Sequence, residues 1–319
     1  MSQVETVRGP IDADALGATL MHEHIFVKHP ELEENYPNPE WSEEGAVQVA
    51  RDGMKSLWDK GIRTIVDLTV MGLGRSIPRI QKLAESVDMN IVVATGYYTA
   101  KDLPTYFHNH GPGRRVDMPE PLDAMFLKDV RDGIADTGVK AAIIKVVTDE
   151  LGITPDVERV LRSAARTQRE TGVPISTHTH AAKQTGRLQQ EFFRKEGVDL
   201  ERVIIGHSGD TTDVDYLKEL MDNGSMLGLD RFGLDSFLPE EDRIATVVKL
   251  CELGYAEKIT LSHDAAFFSI NTEPSHRPPE WTHFAVSDRI LPALREQGVS
   301  EDTIEQIMVR NPARILPPH

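Results

Sequence analysis

The chain is poor in cysteine and in basic residues. Cys251 is the only cysteine, which excludes an intramolecular disulfide and any metal site built from several thiolates. The net charge is −16, from 51 acidic and 35 basic residues, and no basic stripe is present. Because nucleic acids and anionic lipids are recognised by clustered Lys and Arg, we expect neither of them to be a partner.

Long apolar runs are also missing. No segment approaches the roughly 20 apolar residues of a membrane-spanning helix. The first residues, MSQVETVRGPIDADALG, lack the charged start and apolar core of a secretion signal, so we expect a cytoplasmic protein. Hydrophobic residues make up 39% of the chain, enough for a full core. No low-complexity linker divides residues 1–319, which predicts a single domain.

Short β-branched segments alternate with segments of helical periodicity. The clearest helices are predicted at 43–61, 154–172 and 240–254, and each ends at a glycine suited to a left-handed cap. The alternation predicts a (β/α)8 barrel. A doubly wound open sheet is the alternative, but the glycine-rich phosphate turn usual after its first strand is missing. The eight predicted strands are 18–27, 63–70, 90–98, 141–147, 172–180, 202–209, 225–233 and 257–265.

The longer connections after strands are expected to shape the active-site mouth. In a (β/α)8 barrel, the loops that follow the strands surround the site at the C-terminal face. Here these loops are residues 29–42, 99–121 and 266–286.

The fourth strand, AAIIKVV at 141–147, contains a lysine in an otherwise apolar segment. A buried, unpaired ammonium is costly, so Lys145 needs an explanation. One explanation is an ion pair with an acid such as Asp67. The other is a neutral amine, since burial and nearby cations lower the pKa of lysine. A neutral amine can add carbon dioxide and form a carbamate, which can bridge two metal ions. The other candidate ligands lead us to favour the carbamate.

Histidines cluster in three H-x-H pairs. His22 and His24 lie on the first predicted strand, where residues two apart face the same side, so both imidazoles can reach one metal ion. The pair His108 and His110 lies among Gly and Pro in a loop, and we do not expect it to bind metal.

Three further polar residues follow other strands. His178, His207 and Asp264 lie at the ends of the fifth, sixth and eighth strands. Each alone could be a turn or capping residue. Together with the first strand, they place metal-binding side chains at the C-terminal ends of four strands, where barrel enzymes carry out catalysis.

This set of residues resembles the binuclear amidohydrolase superfamily, and the surrounding segments resemble the phosphotriesterase-like lactonases. The similar segments are GATLMHEHIFV, TIVDLTVMGLGR, VVATGYYT, PISTHTH, IGHSGD, LGLDRFG and LSHDA, spread from about Val7 to Leu316. Members of this group are (β/α)8 hydrolases with two divalent metals bridged by a carboxylated lysine and a hydroxide. The resemblance implies such a site here, and a homodimer.

The resemblance also implies a ligand set. Zinc is the first expectation for both metals, and cobalt, manganese and iron also suit such ligands. His180 stands where phosphotriesterases commonly have a small residue. We expect it to donate a hydrogen bond to a metal ligand without binding the metal itself. The implied ligands are His22, His24 and Asp264 for one metal, His178 and His207 for the other, and carboxylated Lys145 between them.

Two more positions match residues beside the reaction centre. By resemblance, Tyr98 and Arg231 orient the substrate, and Asp264 passes a proton from the hydroxide to the leaving group. The adjacent Tyr97 is an alternative to Tyr98, which could instead fill the core. Arg231 could instead form an ion pair with Asp230 or Asp235.

The expected reaction is hydrolysis of a small lactone or ester, with N-acyl homoserine lactones first, as in the quorum-quenching members. A phosphotriester is the second candidate. The short connection LDSFLPEED after the seventh strand looks more like the lactonases. A non-catalytic metal-binding barrel is a weaker alternative. So is a deaminase, because those sites are commonly mononuclear and do not need the lysine.

The loop at 266–286 is rich in aromatic residues, in a chain with only 6% of them. These side chains are predicted to line a channel for an acyl chain. Equally, they could form a lid that packs on the barrel without touching substrate. They are Phe267, Phe268, Trp281 and Phe284.

Overall fold

The computed structural model describes residues 2–39, 41–272 and 276–318. It confirms the predicted (β/α)8 barrel, with eight strands in sequence order and parallel pairing between successive strands. The strands are β1 (Ala18–Val27), β2 (Ile62–Asp67), β3 (Asn90–Gly96), β4 (Ile143–Thr148), β5 (Ile175–Thr179), β6 (Val203–Ile205), β7 (Met226–Leu229) and β8 (Ile259–Leu261).

The barrel closes where the chain leaves β8 and meets β1. The amide of Asp264 donates to the carbonyl of His22 at 3.1 Å, and the amide of His22 donates to Ser262 Oγ at 2.9 Å. A ninth strand, β9 (Ala266–Ser269), then pairs in parallel with the end of β1. The sequence had suggested only a loop here, so the first part of segment 266–286 extends the sheet.

Helices cover the outside of the barrel. The three helices predicted from periodicity are present, and the glycine that follows each has a positive φ. A hairpin of Gln3–Thr6 and Gly9–Asp12 precedes the barrel. The helices are α1 (Pro30–Asn35), α2 (Glu43–Asp59), α3 (Ile77–Ala84), α4 (Thr105–Asn109), α5 (Pro121–Arg131), α6 (Pro155–Thr171), α7 (Thr185–Lys195), α8 (Val214–Asp222), α9 (Glu240–Glu252), α10 (Leu291–Glu296), α11 (Glu301–Glu305) and α12 (Asn311–Ile315). The π-helical turns Val286–Ile290 and Gln306–Arg310 precede α10 and α12. Among the described helices, none has the length and apolar character needed to cross a bilayer.

Strand alternation divides the core into two layers. On β4, Ile144 and Val146 pack in the layer shared with the helices, while Ile143 packs in a smaller cluster with Val66 of β2 and Met226 of β7. Because alternate residues of a strand face opposite sides, Lys145 follows Ile143 on the inner side. The inner side is therefore apolar at one end of the barrel and polar towards the ends of the strands.

Gly96 brings β3 close to β4 beside the site. It pairs with Lys145 in the register of the sheet, its φ is +134°, and a Cβ there would lie 1.9 Å from the Lys145 carbonyl oxygen. We expect Gly96→Ala to lower the free energy of unfolding by about 3 kcal/mol or more, from backbone strain and a displaced β4 together.

Gly61→Ala is the matched control, because Gly61 also has a positive φ of +93°, but a Cβ added there would meet open space. It should cost only the backbone strain, about 1 kcal/mol. Chemical denaturation of both variants checks the difference, and equal losses would contradict the steric role of Gly96.

Candidate metal centre and active site

The six side chains expected as metal ligands converge at the C-terminal end of the barrel. His22 Nε2 lies 2.8 Å from Lys145 Nζ, and His207 Nε2 lies 2.9 Å from His178 Nδ1. The carboxylate of Asp264 lies between the two groups. Its Oδ1 is 3.2 Å from His24 Nε2 and 3.5 Å from His22 Nε2, and its Oδ2 is 3.8 Å from His207 Nε2.

Two of these residues lie just beyond the strands and have unusual backbones. β6 ends at Ile205 and β8 at Leu261, both earlier than predicted. His207 and Asp264 then adopt left-handed φ angles of +57° and +54°. Such angles are strained for residues other than glycine and persist only where surrounding contacts hold them.

Three of the four imidazoles are oriented by a hydrogen bond at Nδ1, on the side of the ring away from the centre of the site. His22 Nδ1 lies 2.6 Å from Asp230 Oδ2, and His207 Nδ1 lies 2.9 Å from Asp230 Oδ1. His24 Nδ1 lies 2.9 Å from Thr69 Oγ1. Because a carboxylate only accepts, Nδ1 of His22 and of His207 carries the proton, which leaves Nε2 free to bind a cation.

His178 has the opposite orientation. Its Nε2 lies 3.2 Å from Asp149 Oδ2, so Nδ1 faces the centre. Burial lowers the pKa of His22 to about 4 and also lowers the pKa of His178 and His207. These three imidazoles are therefore neutral at physiological pH, which is the form that binds metals.

Lys145 lies inside this cluster, with 1% of its surface exposed. Burial lowers its pKa to about 8, against the opposing effect of Asp264 and Asp230. Asp67, the alternative partner, uses Oδ1 to accept from the amides of Thr69 and Ile25 at 3.1 and 3.4 Å. A substantial fraction of Lys145 is therefore the neutral amine near pH 8.

The donor set fits divalent metals. Ligand atoms of His22, His24 and Asp264 all lie within 4.8 Å of one another, and so do those of His22, His207 and Asp230. Neutral imidazoles and carboxylates suit zinc, cobalt, manganese and iron. Lys145 fits less simply, because an ammonium would repel a cation and only a neutral or modified lysine is compatible with one.

Arg231 contacts Asp264 directly. Its Nε donates to Asp264 Oδ2 at 3.0 Å, and Nη1 donates to Asp210 Oδ2 at 2.8 Å. These ion pairs replace the alternatives that the sequence suggested, Asp230 and Asp235. Although burial opposes ionisation of Asp264, its interactions with His207, His24 and Arg231 hold its pKa well below the usual range. Asp264 is thus an ionised carboxylate with one oxygen towards the histidines and the other on Arg231.

Of the two adjacent tyrosines, Tyr98 lies at the site. Its ring meets His178 edge to face with 5.8 Å between centroids, whereas Tyr97 packs against Phe107 at 5.5 Å. Burial, with a contribution from Asp264, raises the pKa of Tyr98 to about 12. Its hydroxyl is therefore protonated and can donate a hydrogen bond.

A cavity of ≈ 170 Å³ opens over this cluster. One part of its wall consists of the candidate ligands, and another consists of Val27, Leu73 and Ala266, which form a small apolar cluster with Tyr98. The lining residues are His24, Val27, Leu73, Tyr98, Lys145, His178, His207, Asp264, Ala266, Ser269, Asn271, Thr272, Arg277 and Trp281.

The predicted aromatic channel needs correction. Among the described residues, the cavity wall includes Trp281 but not Phe267, Phe268 or Phe284. Phe267 stacks on a histidine ring at 3.9 Å, Phe268 contacts a tryptophan ring at 4.4 Å, and Phe284 packs against the outer core. These three side chains attach segment 266–286 to the barrel, as the alternative interpretation had it.

The other histidines of the H-x-H pairs make contacts elsewhere. His108 Nε2 lies 2.6 Å from an oxygen of Asp156, and His110 Nδ1 lies 2.8 Å from the carbonyl of Tyr106. His180 Nδ1 accepts from the amide of Lys183 at 3.3 Å and caps the short turn after β5. In the structure His180 has this capping contact, whereas we had expected it to support a ligand.

Sequence reasoning missed the carboxylates that hold the ligands. Asp230 joins His22 and His207, Asp149 contacts His178, and Glu23 lies between two candidate ligands. The available signals were the position of Glu23 within H-E-H and that of Asp230 immediately before Arg231. Neither signal shows which histidine will form a hydrogen bond with the acid.

We expect Asp230→Asn to weaken metal binding about 10–100-fold, because the amide cannot accept from both imidazoles and the amide of His207 as the carboxylate does. Metal affinity measured by competition with a chromogenic chelator checks this.

The matched controls are His108→Ala and His110→Ala, which also remove histidine contacts but lie outside the cluster. Both should keep the wild-type metal content. Loss of metal from a control, with none from Asp230→Asn, would mean that the wrong histidines were chosen.

Comparison with known proteins places these features in a family. The model of the phosphotriesterase family matches residues 2–316. The phosphotriesterase homology protein of Mycobacterium tuberculosis is 49% identical over 319 residues, covering 99% of this chain and 98% of that protein. The aryldialkylphosphatase of Saccharolobus solfataricus is 38% identical, covering 96% of each chain.

A more distant relative and a solved structure are also similar over nearly the whole chain. The N-acetyltaurine hydrolase of Dictyostelium discoideum is 26% identical, covering 99% of this chain and 98% of that protein. A solved structure of the phosphotriesterase from Mycobacterium tuberculosis superposes with a TM-score of 0.96 at 48% identity, covering 98% of each chain.

Proposed function

The chain belongs to the phosphotriesterase family, and we propose that this metal-dependent hydrolase opens lactone rings, with N-acyl homoserine lactones as the leading substrates. The observation that carries the proposal is the two-sided cavity. One side holds the histidines and Asp264, and the other is the apolar patch of Val27, Leu73 and Ala266. A neutral substrate with one reactive carbonyl and an apolar portion suits both sides.

The cofactors we propose are two divalent cations, with zinc first. When bound, such a pair supplies a hydroxide nucleophile at neutral pH and polarises the carbonyl under attack. The residues that would hold them are His22, His24 and Asp264 for one, His178 and His207 for the other, and Lys145 between the two.

Lys145 would take part as a carbamate. Its neutral amine attacks carbon dioxide, a nitrogen–carbon bond forms, and one proton is released. The product carries a negative charge on two oxygens, which removes the problem of an ammonium among cation ligands. The burial that lowers the pKa of Lys145 to about 8 favours this reaction.

Asp264 is proposed to move the proton. It is ionised, and its Oδ1 lies beside His24 while Oδ2 is fixed by Arg231. It can accept a proton from the attacking water and return it to the alkoxide that leaves when the ring opens. In a lactone this alkoxide stays tethered to the acyl group. We propose that the protonated hydroxyl of Tyr98, which lines the cavity, donates to a substrate oxygen, and that Arg231 keeps Asp264 in position.

Phosphotriesters are the second candidate. The aryldialkylphosphatase relative supports this possibility, and the same residues suit attack at phosphorus. The N-acetyltaurine hydrolase relative carries a name that implies attack at a carbonyl, which supports the acyl reaction for this family. The homodimer and the cytoplasmic location expected from the sequence stay predictions.

The substrate proposal is tested by kcat/KM for a long-chain acyl homoserine lactone and for an aryl phosphotriester, on protein loaded with zinc or cobalt. We expect a strong preference for the lactone, and loss of activity on chelation. The reverse preference would make phosphotriesters the main substrates, and activity that survives complete metal removal would contradict the mechanism.

The proposed carbamate predicts a specific rescue. Lys145→Ala should lose metal and activity, and a short carboxylic acid such as propionate should restore part of both by filling the space between the cations. Metal content and turnover with and without propionate check this.

Lys28→Ala is the control, because Lys28 is equally buried but ion-paired with Glu33, and its Nζ lies 3.3 Å from the centroid of the Trp41 ring. Propionate should have no effect on it. Full activity of Lys145→Ala without propionate would rule the carbamate out.

A further inference from the structure

Glu23, between His22 and His24 on β1, has no assigned part in the reaction, yet it is completely buried. Its Oε1 accepts three hydrogen bonds, from Ser262 Oγ at 3.0 Å and from the amide and Nδ1 of His263 at 2.9 and 2.6 Å. Its Oε2 accepts from the amide of Ala265 at 3.1 Å. Glu23 therefore binds the residues on both sides of Asp264.

The direction of the bond to His263 is fixed by a neighbour. The amide of Val286 donates to His263 Nε2 at 2.8 Å. Nε2 must therefore carry the lone pair, and Nδ1 must carry the hydrogen of the neutral ring. The bond from Nδ1 to Glu23 is thus a donation from imidazole to carboxylate, and each of the four contacts points towards Glu23.

This arrangement explains how Asp264 keeps a strained backbone. Its φ of +54° is unfavourable for a residue with a side chain. The amides of His263 and Ala265, on either side, donate to a single carboxylate, while the amide of Asp264 itself donates to the carbonyl of His22. β1 thus holds the Asp264 turn through the backbone of one residue and the side chain of the next.

His263 also contacts a residue of the cavity wall. The Nε1 of Trp281 donates to the carbonyl of His263 at 2.7 Å, and Trp281 lines the cavity. A shift of His263 would therefore move both Asp264 and Trp281.

We propose that Glu23 is a positioning residue, which sets the place of the Asp264 carboxylate by binding the residues that flank it. The inference rests on the proposed role of Asp264 as a metal ligand and proton acceptor. Glu23 itself is not among the described residues that line the cavity, so we expect it to act on the reaction only through Asp264.

A double-mutant cycle tests whether Glu23 acts through Asp264. Glu23→Gln replaces one acceptor oxygen with an amide group that faces a donor, so the Asp264 turn should shift. We expect kcat to fall about 100-fold, the size of effect that a misplacement of about 1 Å produces, with little change in KM.

Asp264→Asn alone should remove most of the turnover, because the amide cannot accept the proton. In that background, adding Glu23→Gln should lower kcat by no more than about 2-fold. Losses that multiply in the double variant would show that Glu23 acts elsewhere and would overturn the proposal.

Asp129→Asn is the matched control for loss of a buried acid. Asp129 accepts from Thr95 Oγ1 at 2.8 Å and pairs with Arg75 at 2.8 Å, on the outside of β3 and away from Asp264. It should lower the melting temperature but keep kcat within about 3-fold of wild type. If Asp129→Asn lowers kcat as much as Glu23→Gln does, general destabilisation explains both, and the proposal fails.

Cobalt binding gives a readout that does not depend on turnover. Glu23→Gln should weaken one of two bound equivalents about 10–100-fold, the one that Asp264 helps to hold, and leave the other unchanged. If the wild type hydrolyses neither substrate, the proposed function fails, while this selective loss of affinity would still support the positioning role. Equal affinities in variant and wild type would overturn it.

Glu23→Asp covers the case in which Glu23→Gln does not fold. It keeps the charge but shortens the side chain by one methylene, so the carboxylate draws back from His263 and Ala265. It should lower kcat and the affinity of the same cobalt equivalent, each by about 10-fold or less. Wild-type values for both quantities would overturn the proposal.

Discussion

The metal site depends on the hydrogen bonds that the Asp230 carboxylate accepts. It accepts from Nδ1 of His22 on β1, and from both Nδ1 and the amide of His207 beyond β6, across the inside of the barrel. Burial disfavours its charge, but His22 and Lys145 hold its pKa below the usual value. One buried acid thus fixes which nitrogen of two imidazoles faces the centre, before any cation binds.

Buried acids repeat this principle on the other side of the site. Glu23 holds the turn that contains Asp264, and burial raises its pKa to about 7, which reflects what it costs to keep a charge there. Several hydrogen bonds from His263, Ser262 and Ala265 offset that cost. The polar end of the barrel is therefore a connected network in which each of the four ligand histidines has a polar partner on the side away from the centre, and removal of one acid would leave several donors unpaired.

Local patterns in the sequence were sufficient to predict the barrel and to select six side chains that the structure brings together. The H-x-H spacing on β1 and the lysine in an apolar β4 segment need only strand geometry to be interpreted. Asp230 and Glu23 could not be placed in this way, because their roles depend on which strands become neighbours when the barrel closes. The structure leaves Phe267, Phe268 and Phe284 out of the cavity wall for a related reason. Composition shows that Phe267 is hydrophobic, but only β9 determines that it turns away from the cavity.

The backbone of the site shows why these acids matter for function. His207 and Asp264 are two of the four residues other than glycine with positive φ in the described chain, and each such angle costs on the order of 1–3 kcal/mol. A sheet of short strands does not produce these angles by itself. Asp230 holds the amide of His207, and Glu23 holds the amides on both sides of Asp264, so the strain is balanced by contacts to buried charge. The donor atoms are thus kept in place by the protein, and the free energy of cation binding need not be used to form the site.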